Sequence, residues 1–262
     1  MKKKDEFYIG YVDTVGEGTK KTLKRFVLFS TGSLLLAAFL FSFFQRPSVT
    51  SSFDFNDPTK VSGIYHESPY PMLRTALADT IYKDIVLLGF GKSGANPYLD
   101  KIREKEGSLV NRHLTIEGQL IYYNGKTLLE IDDSQKITLN APTNTYFEKA
   151  MPVGNMKLEG EIIDPKCYFG VMKPGFGKIH RSCAALCISG GIPPVLATNT
   201  QNGIEDYFLL TDLKGNPIHK DIIPYIGQPS IIKGEVYKLE DWYVMQIDVS
   251  QIEKLDKKSI IY

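Results

Sequence analysis

Four side chains that could bind a metal ion or take part in redox chemistry lie close together in the sequence. They are Cys167, His180, Cys183 and Cys187, and they include every cysteine of the 262-residue chain. The segment GKIHRSCAALCISGG predicts a short helix that ends at Gly190, because the two prolines that follow cannot continue it. If that helix begins near Ile179, the histidine and its two cysteines have i, i+3, i+7 spacing and project from one face.

The segment before this helix determines whether Cys167 can join the other three side chains. The sequence predicts Cys167 at the end of a strand, followed by the loop GVMKPGFGK, which contains three glycines and one proline. Such a loop is flexible enough to fold the helix back over Cys167, so we expect three sulfur atoms and one imidazole to converge. The remaining histidines, His66, His113 and His219, have no partner at ligand spacing and are expected at surface or strand positions.

Several kinds of chemistry fit this group of side chains. Three cysteines and one histidine form a complete tetrahedral environment for zinc, and thiolates also suit iron–sulfur clusters, although C-x3-C is not a common zinc spacing. In an oxidising compartment the alternative is a disulfide from Cys167 to Cys183 or Cys187, which leaves one thiol over. The cysteines could also be inert core residues. A catalytic Cys/His pair lacks an acidic partner that can be identified in the sequence.

The same stretch resembles a motif of uncharacterised bacterial membrane-anchored and secreted proteins. In that motif a strand ends in a cysteine and is followed by H-x2-C-A-x2-C, then by a glycine pair and a proline. The matching residues are Cys167, His180, Cys183, Ala184, Cys187, Gly190, Gly191 and Pro193, and the match covers residues 156–200. The resemblance implies a bacterial envelope setting and no particular chemistry.

An uncharged segment near the N-terminus predicts a transmembrane helix. No charged residue occurs from Phe26 to Gln45, and at about 1.5 Å per helical residue this segment spans a bilayer core of roughly 30 Å. A buried core helix is the alternative, but such helices usually show a polar face. The basic residues before the segment are Lys20, Lys21, Lys24 and Arg25, whereas only Arg46 follows closely. The positive-inside rule therefore places the N-terminus in the cytoplasm and the rest of the chain outside.

A short pattern with a central glycine occurs four times after this segment. The copies are KVSGIYH, TIEGQLI, KLEGEII and IIKGEVY, with their glycines at Gly63, Gly118, Gly160 and Gly234. Apolar and polar residues alternate in them as in strands, and a glycine in mid-strand marks a bulge or a bend. The second and fourth copies continue into hairpins, with turns at Asn124-Gly125 and Glu240-Asp241. This spacing predicts a tandem duplication.

The pattern predicts a mainly β fold: an N-terminal transmembrane helix followed by two tandem small OB-like β-barrel units. A single β-sandwich is the alternative. The expected organisation is a cytoplasmic tail (1–25), the transmembrane helix (26–45), a linker (46–59), a first barrel unit (60–150) and a second barrel unit (151–262) with the Cys/His helix as an insertion.

Two further patterns suggest binding of a dinucleotide and of a nucleic acid, but the rest of the sequence favours neither. Gly89, Gly91 and Gly94 match G-x-G-x-x-G, but the β pattern that follows does not give a parallel βαβ unit. We expect a glycine-rich turn and a short surface helix there. Four aromatic residues could stack on nucleic-acid bases: Tyr122, Tyr123, Trp242 and Tyr243. The chain beyond Arg46 carries more acidic than basic residues, however, so no nucleic-acid partner is expected and these aromatics are expected to be half buried in strands.

The sequence contains no complete catalytic constellation, and whether the chain is an enzyme stays open. We expect a single-pass protein of the bacterial inner membrane, with its barrels in the periplasm, that acts as an accessory or binding protein among other envelope proteins. The Cys/His group is then a structural disulfide or a metal site of the zinc or iron–sulfur type. The alternative is a redox or electron-transfer component that binds a metal or cluster through the three cysteines and His180.

Overall fold

The structure is a computed structural model that describes residues 16–44, 51–78, 81–142, 150–199 and 205–256. The chain divides into two compact units, Met1–Ser48 and Val49–Tyr262. The first unit contains helix α1, Glu17–Phe44, which is long and apolar enough to cross a membrane. The helix begins before the uncharged segment because the preceding lysines are compatible with a helix and Glu17 is favourable in its first turn. None of the residues of α1 is buried, so it is not the core helix of the alternative interpretation.

The second unit contains two closed five-stranded barrels in tandem. The strands of the first barrel are β2 (Thr59–His66), β3 (Met72–Ala78), β4 (Ile81–Gly89), β5 (Arg112–Tyr123) and β6 (Lys126–Ile131). Their order around the barrel is β2-β3-β4-β6-β5, and β5 closes the ring by pairing with β2. All pairs are antiparallel except β4 with β6. Helix α2, Asn96–Glu106, connects β4 to β5.

The second barrel has the same strand order. Its strands are β8 (Met151–Ile163), β9 (Val195–Asn199), β10 (Glu205–Thr211), β11 (Pro229–Leu239) and β12 (Trp242–Ile247). They are ordered β8-β9-β10-β12-β11, β11 pairs with β8, and only β10 and β12 are parallel. A π-helical turn (Cys167–Val171) and helix α3 (Arg181–Ser189) lie between β8 and β9. The prediction of two OB-like barrels is confirmed, and the single sandwich is wrong.

Several short elements extend the two barrels. Strand β1, Ser51–Phe53, pairs with β5, so the end of the predicted linker 46–59 belongs to the first barrel's sheet. Strand β7, Ile137–Pro142, also pairs with β5, and β13, Glu253–Lys254, pairs with β11. Among the described residues of the unit there are also three short 3-10 helices: Ser134–Lys136, Ile223–Tyr225 and Val249–Gln251.

The four glycine-containing segments are strands, as predicted, and their glycines take matching places in the two barrels. Gly63 and Gly160 lie in the first strand of each barrel, and Gly118 and Gly234 lie in the fourth. A Cβ atom at Gly118 would overlap the backbone oxygen of Glu130, and one at Gly234 would overlap that of Gln246. The glycines therefore allow the neighbouring strand to approach closely. No register shift of the kind a bulge would introduce falls at the four glycines, and the shift in the β8–β11 pair lies between Val236 and Tyr237.

The predicted hairpin turns are also present. Asn124 and Gly125 have φ angles of 46° and 80°, as a type I′ turn requires, and Glu240 has a φ of 49°. These two turns join β5 to β6 and β11 to β12, which are neighbouring antiparallel pairs in their barrels.

One hydrophobic cluster joins the two barrels. It combines first-barrel side chains such as Met72, Val86 and Leu88 with second-barrel side chains such as Phe169 and Trp242. The Trp242 indole donates a hydrogen bond to the backbone oxygen of Asp84 at 2.9 Å. Of the four aromatics considered for base stacking, Tyr123 and Trp242 are buried in this cluster, whereas Tyr122 is exposed. We call the region around this cluster the barrel junction.

Candidate metal centre

Cys167 lies in a helical turn and not, as predicted, at the end of a strand. Strand β8 ends at Ile163, and the turn that follows begins with a hydrogen bond from Tyr168 N to Asp164 O at 3.0 Å. The side-chain carboxylate of Asp164 also accepts a hydrogen bond, from the backbone N–H of Lys166 at 2.9 Å. An aspartate that bonds to a backbone amide two residues later favours such a turn. The turn buries Cys167 within the barrel junction.

Helix α3 carries the other three predicted ligands. His180 immediately precedes the helix, and Cys183 and Cys187 follow on it one turn apart. The helix ends where the sequence predicts, because the N–H of Gly190 bonds to the carbonyl of Leu186 at 3.0 Å and the chain then leaves the helix.

The loop between the turn and the helix folds back, as its composition predicts. The backbone N–H of Gly177 donates to the buried carboxylate of Glu161 in β8. The amine of Lys173 donates to the backbone oxygen of Tyr168 at 2.8 Å. These bonds anchor the loop, so the start of α3 is held over the turn that contains Cys167.

The possible ligand atoms form two groups that share the Cys167 sulfur. The outer group consists of Cys167, His180 and Cys183, and the inner group consists of Asp164, Cys167 and Cys187. Within each group the ligand atoms lie within 4.8 Å of one another. All members of the inner group are buried, whereas Cys183 of the outer group is partly exposed. Each of the four residues expected from the sequence thus belongs to one of the two groups, Asp164 joins the inner group, and neither group contains all four expected residues.

Two buried polar atoms at these groups have no hydrogen-bond partner within the described part of the chain. They are Nε2 of His180 and Oδ2 of Asp164, in side chains that belong to residues 4% and 0% exposed. Leaving a buried polar atom unpaired costs about 1–3 kcal/mol. A cation placed against each atom would offset that cost, and imidazole nitrogen, carboxylate oxygen and thiolate sulfur are the ligand atoms that zinc takes in proteins.

The protonation states around Cys167 favour thiols when no cation is bound. The hydrogen bond to Cys187 and then burial raise the pKa of Cys167 far above its ordinary value. Burial also raises the pKa of Cys183, and it lowers the pKa of His180 although the charge of Asp164 opposes that shift. A neutral imidazole can bind a metal directly, but a thiol must lose its proton, so a bound cation would have to stabilise the thiolates.

The predicted disulfide is not formed in this structure. All three cysteines, which lie within the described residues, are free. The Cys167 sulfur nevertheless shares a group with the sulfur of Cys183 and another with that of Cys187. The arrangement therefore brings Cys167 close to both of the partners considered from the sequence.

The glycine-rich loop 89–94 packs against this region. The amine of Lys166, next to Cys167, donates to the backbone oxygens of Gly89 at 2.8 Å and Gly91 at 2.7 Å. The backbone N–H of Gly94 donates to the oxygen of Gly190 at 2.9 Å. The loop leads into α2, as predicted, and its glycines permit a close approach of two backbones across the barrel junction.

The remaining histidines lie elsewhere. His66 bonds to Asp84 with 3.3 Å between Nε2 and Oδ1, and the ring of His113 bonds to the Asn140 amide at 2.9 Å. His219 is half-buried, and this burial lowers the pKa of its ring although the nearby backbone groups of Ile188 and Ile192 oppose the shift.

Asp164 is the residue that the sequence analysis missed. No acidic partner for the Cys/His group was identified from spacing, yet Asp164 stands three residues before Cys167 in the segment DPKC. Asp-Pro commonly starts a turn, and in a helical turn residues three apart lie on the same side. This signal could have placed the carboxylate beside the sulfur.

Comparisons of the chain with known protein families, with curated proteins and with solved structures found no match.

Proposed function

We propose that this chain is a membrane-anchored, extracytoplasmic accessory protein of a bacterial envelope assembly, in which a metal ion bound by the Cys/His group braces the two barrels. The observation that carries the proposal is the position of the ligands. Cys167 and Cys187 belong to the hydrophobic cluster that joins the barrels, and each belongs to a group of three possible ligands. Such a protein binds partners and does not transform a substrate.

The anchor in this proposal is α1. Its basic residues precede its apolar part, and the positive-inside rule then keeps the N-terminus in the cytoplasm. The resemblance of the Cys/His stretch to a motif of bacterial membrane-anchored and secreted proteins supports an envelope location. Both barrels then lie on the periplasmic side, where other envelope proteins are the available partners.

The bracing role follows from the surroundings of Cys167. The residue next to it, Lys166, donates to the backbone of the first barrel, and Gly190 at the end of α3 accepts a bond from Gly94. A cation that links Cys167 to α3 would therefore fix two segments of the second barrel that both contact the first. In structural zinc sites the metal contributes directly to folding stability.

Metal analysis of the full chain tests the proposal. The protein would be purified in detergent without added reductant and examined for bound metal, intact mass and the number of thiols that titrate after denaturation. We expect stoichiometric zinc and three titratable thiols, and we expect Cys167→Ser, which removes the sulfur shared by both groups, to reduce the zinc content, while His113→Ala, outside both groups, retains it. A mass lower by two hydrogens with one titratable thiol would show a disulfide instead. A metal-free protein with three free thiols would refute the bracing role.

A redox or electron-transfer function is the second candidate, and the close approach of the sulfur atoms supports it. Cys167 lies within 4.8 Å of a cysteine sulfur in each of the two groups, and three thiolates with one imidazole suit an iron–sulfur cluster or copper as well as zinc. The visible absorption spectrum of the same preparation separates the two functions. An iron–sulfur or copper chromophore would support the redox candidate, whereas a colourless, zinc-containing protein would contradict it.

A further inference from the structure

We infer that one zinc-class cation uses two successive positions at this centre: it enters at the outer group and is retained at the inner group, with Asp164 as a ligand. The outer position is formed by Cys167, His180 and Cys183, and the inner position by Asp164, Cys167 and Cys187. The inference rests on the proposed function, because it requires that a metal binds. It adds Asp164 as a ligand and a path by which the cation moves from the outer group to the inner group.

The shared sulfur makes two positions possible for one ion. Each group supplies three ligands, fewer than the four of a closed zinc site, and the Cys167 sulfur belongs to both groups. A cation held by Cys167 can therefore exchange its other two ligands without leaving the protein.

The difference in burial gives the transfer its direction. Cys183 is the only partly exposed member of the two groups, so a cation from solvent meets the outer group first. The inner group is fully buried, and Asp164 is 0% exposed. A cation that reaches the inner position is shielded from water, which slows its release.

Each group also contains one buried polar atom that lacks a partner in the described chain. Nε2 of His180 belongs to the outer group, and Oδ2 of Asp164 belongs to the inner group. The other carboxylate oxygen of Asp164 is held by the backbone N–H of Lys166 at 2.9 Å. That bond fixes the orientation of the carboxylate, which also interacts with the Cys167 thiol, so an Asp164 oxygen lies beside the sulfur that both groups share.

The mixture of ligand atoms selects the class of cation. Copper(I) favours thiolate and thioether sulfur, whereas magnesium and calcium favour oxygen. The two groups combine sulfur with nitrogen in one position and sulfur with carboxylate oxygen in the other. Zinc and its close analogues accept all three kinds of ligand, so the centre fits a divalent cation of that class.

The transfer balances in bonds, charge and protons. The bonds from the cation to His180 and Cys183 break, bonds to Asp164 and Cys187 form, and the bond to Cys167 is retained. The proton that leaves the Cys187 thiol is taken up by the released Cys183 thiolate. His180 stays neutral throughout, and no oxidant or reductant is required.

Cobalt(II) is a suitable probe, because it occupies zinc sites and its absorption depends on the sulfur, nitrogen and oxygen ligands. Metal-free, reduced full-length protein in detergent would be mixed with cobalt(II), and absorbance would be followed from milliseconds to minutes. We expect two phases in the wild type. Asp164→Asn and Cys187→Ser should retain the first phase, lose the second, and bind cobalt about 10- to 100-fold more weakly. Cys183→Ser should slow the first phase and reach the wild-type final spectrum.

The controls separate failure of this inference from failure of the proposed function. Asp164→Asn keeps an oxygen that can accept the Lys166 bond, and Glu117→Gln makes the same kind of change at a carboxylate of the first barrel that lies outside both groups. We expect Glu117→Gln to leave the cobalt spectrum and the two phases unchanged. If the wild type binds no cobalt, the proposed metal centre is refuted. If it binds cobalt and both Asp164→Asn and Cys187→Ser behave like the wild type, the metal centre stands and the inner position is wrong.

Discussion

Lys166 of the second barrel forms an ion pair with Glu130 of the first, and both side chains are 3% exposed. The same amine donates to the backbone oxygens of Gly89 and Gly91. Lys166 precedes Cys167 directly, so this cross-barrel pair also fixes the turn that carries the sulfur shared by the two ligand groups. The stability of the barrel junction and the geometry of the candidate metal centre therefore depend on the same residue.

Removal of one partner of this pair should be strongly destabilising. Lys166→Met would leave the Glu130 carboxylate buried without its counter-ion, and we expect the free energy of unfolding to fall by about 3–5 kcal/mol. Thermal unfolding of the full chain in detergent would measure the loss. Trp242 is the only tryptophan and is buried in the barrel junction, so its fluorescence reports directly on whether the barrels separate.

A surface ion pair provides the matched control. Lys60 lies 3.7 Å from Glu117, and its side chain is 73% exposed. Lys60→Met should change stability little, because exposed pairs are screened by water. A Lys166→Met protein as stable as the Lys60→Met protein would show that the buried pair does not hold the barrels together.

The glycines of the two fourth strands should tolerate no side chain. In Gly118→Val and Gly234→Val the new Cβ atom would meet a backbone oxygen of the neighbouring strand, which cannot move without separating the pair. We expect each substitution to reduce the free energy of unfolding by about 1–3 kcal/mol. Glu235→Val is the control, because Glu235 follows Gly234 on the same strand and its side chain is exposed. Equal stability of the glycine and control variants would remove the packing argument for these matching positions.

Local signals in the sequence predicted most of the elements. The helix that ends at Gly190, the turn at Asn124-Gly125 and the four glycine-containing strands depend on a few neighbouring residues each, and all are present. The shared strand order is consistent with a tandem duplication, which stays a prediction.

What the sequence did not predict depends on contacts between distant segments. The pairing of Lys166 with Glu130 joins residues of different barrels, and no local pattern indicates it. The predicted position of Cys167, at the end of a strand, was wrong for a different reason. The strand pattern of β8 gives no sign that the strand ends before Asp164, where a turn begins. That turn, not the helix, brings a carboxylate to the centre.

The membrane orientation can be tested by labelling. A cysteine introduced at Asn56, which is exposed, should react with a membrane-impermeant thiol reagent in cells whose outer membrane has been permeabilised. One introduced at Ser33, within α1, should not react, because the bilayer would cover it. Peptide mapping by mass spectrometry separates these sites from the native Cys183. Protection of position 56 until the inner membrane is disrupted would reverse the orientation and place the barrels in the cytoplasm.

Acidification should destabilise the second unit through its enclosed histidines. Burial lowers the pKa of His219 below its ordinary value of 6.5, and it lowers that of His180 in the same direction. The unfolded chain then binds protons more readily than the folded chain. The contribution of these neutral histidines to the stability of the folded chain is therefore fully present above pH 6.5. It is lost as the pH falls from 6.5 through their pKa values in the folded chain.

His219→Gln isolates the part of this effect that lies outside the candidate metal centre. Glutamine can still donate a hydrogen bond to the backbone near Ile188 but takes up no proton. We expect the wild-type melting temperature to fall between about pH 7.5 and about pH 5.5, and the variant to show a smaller fall. His113→Gln, in the first barrel, serves as the control and should retain the wild-type dependence. An identical pH dependence in the wild type and His219→Gln would mean that His219 takes up its proton equally well in the folded and unfolded chains, so that its enclosure against α3 has no effect on stability.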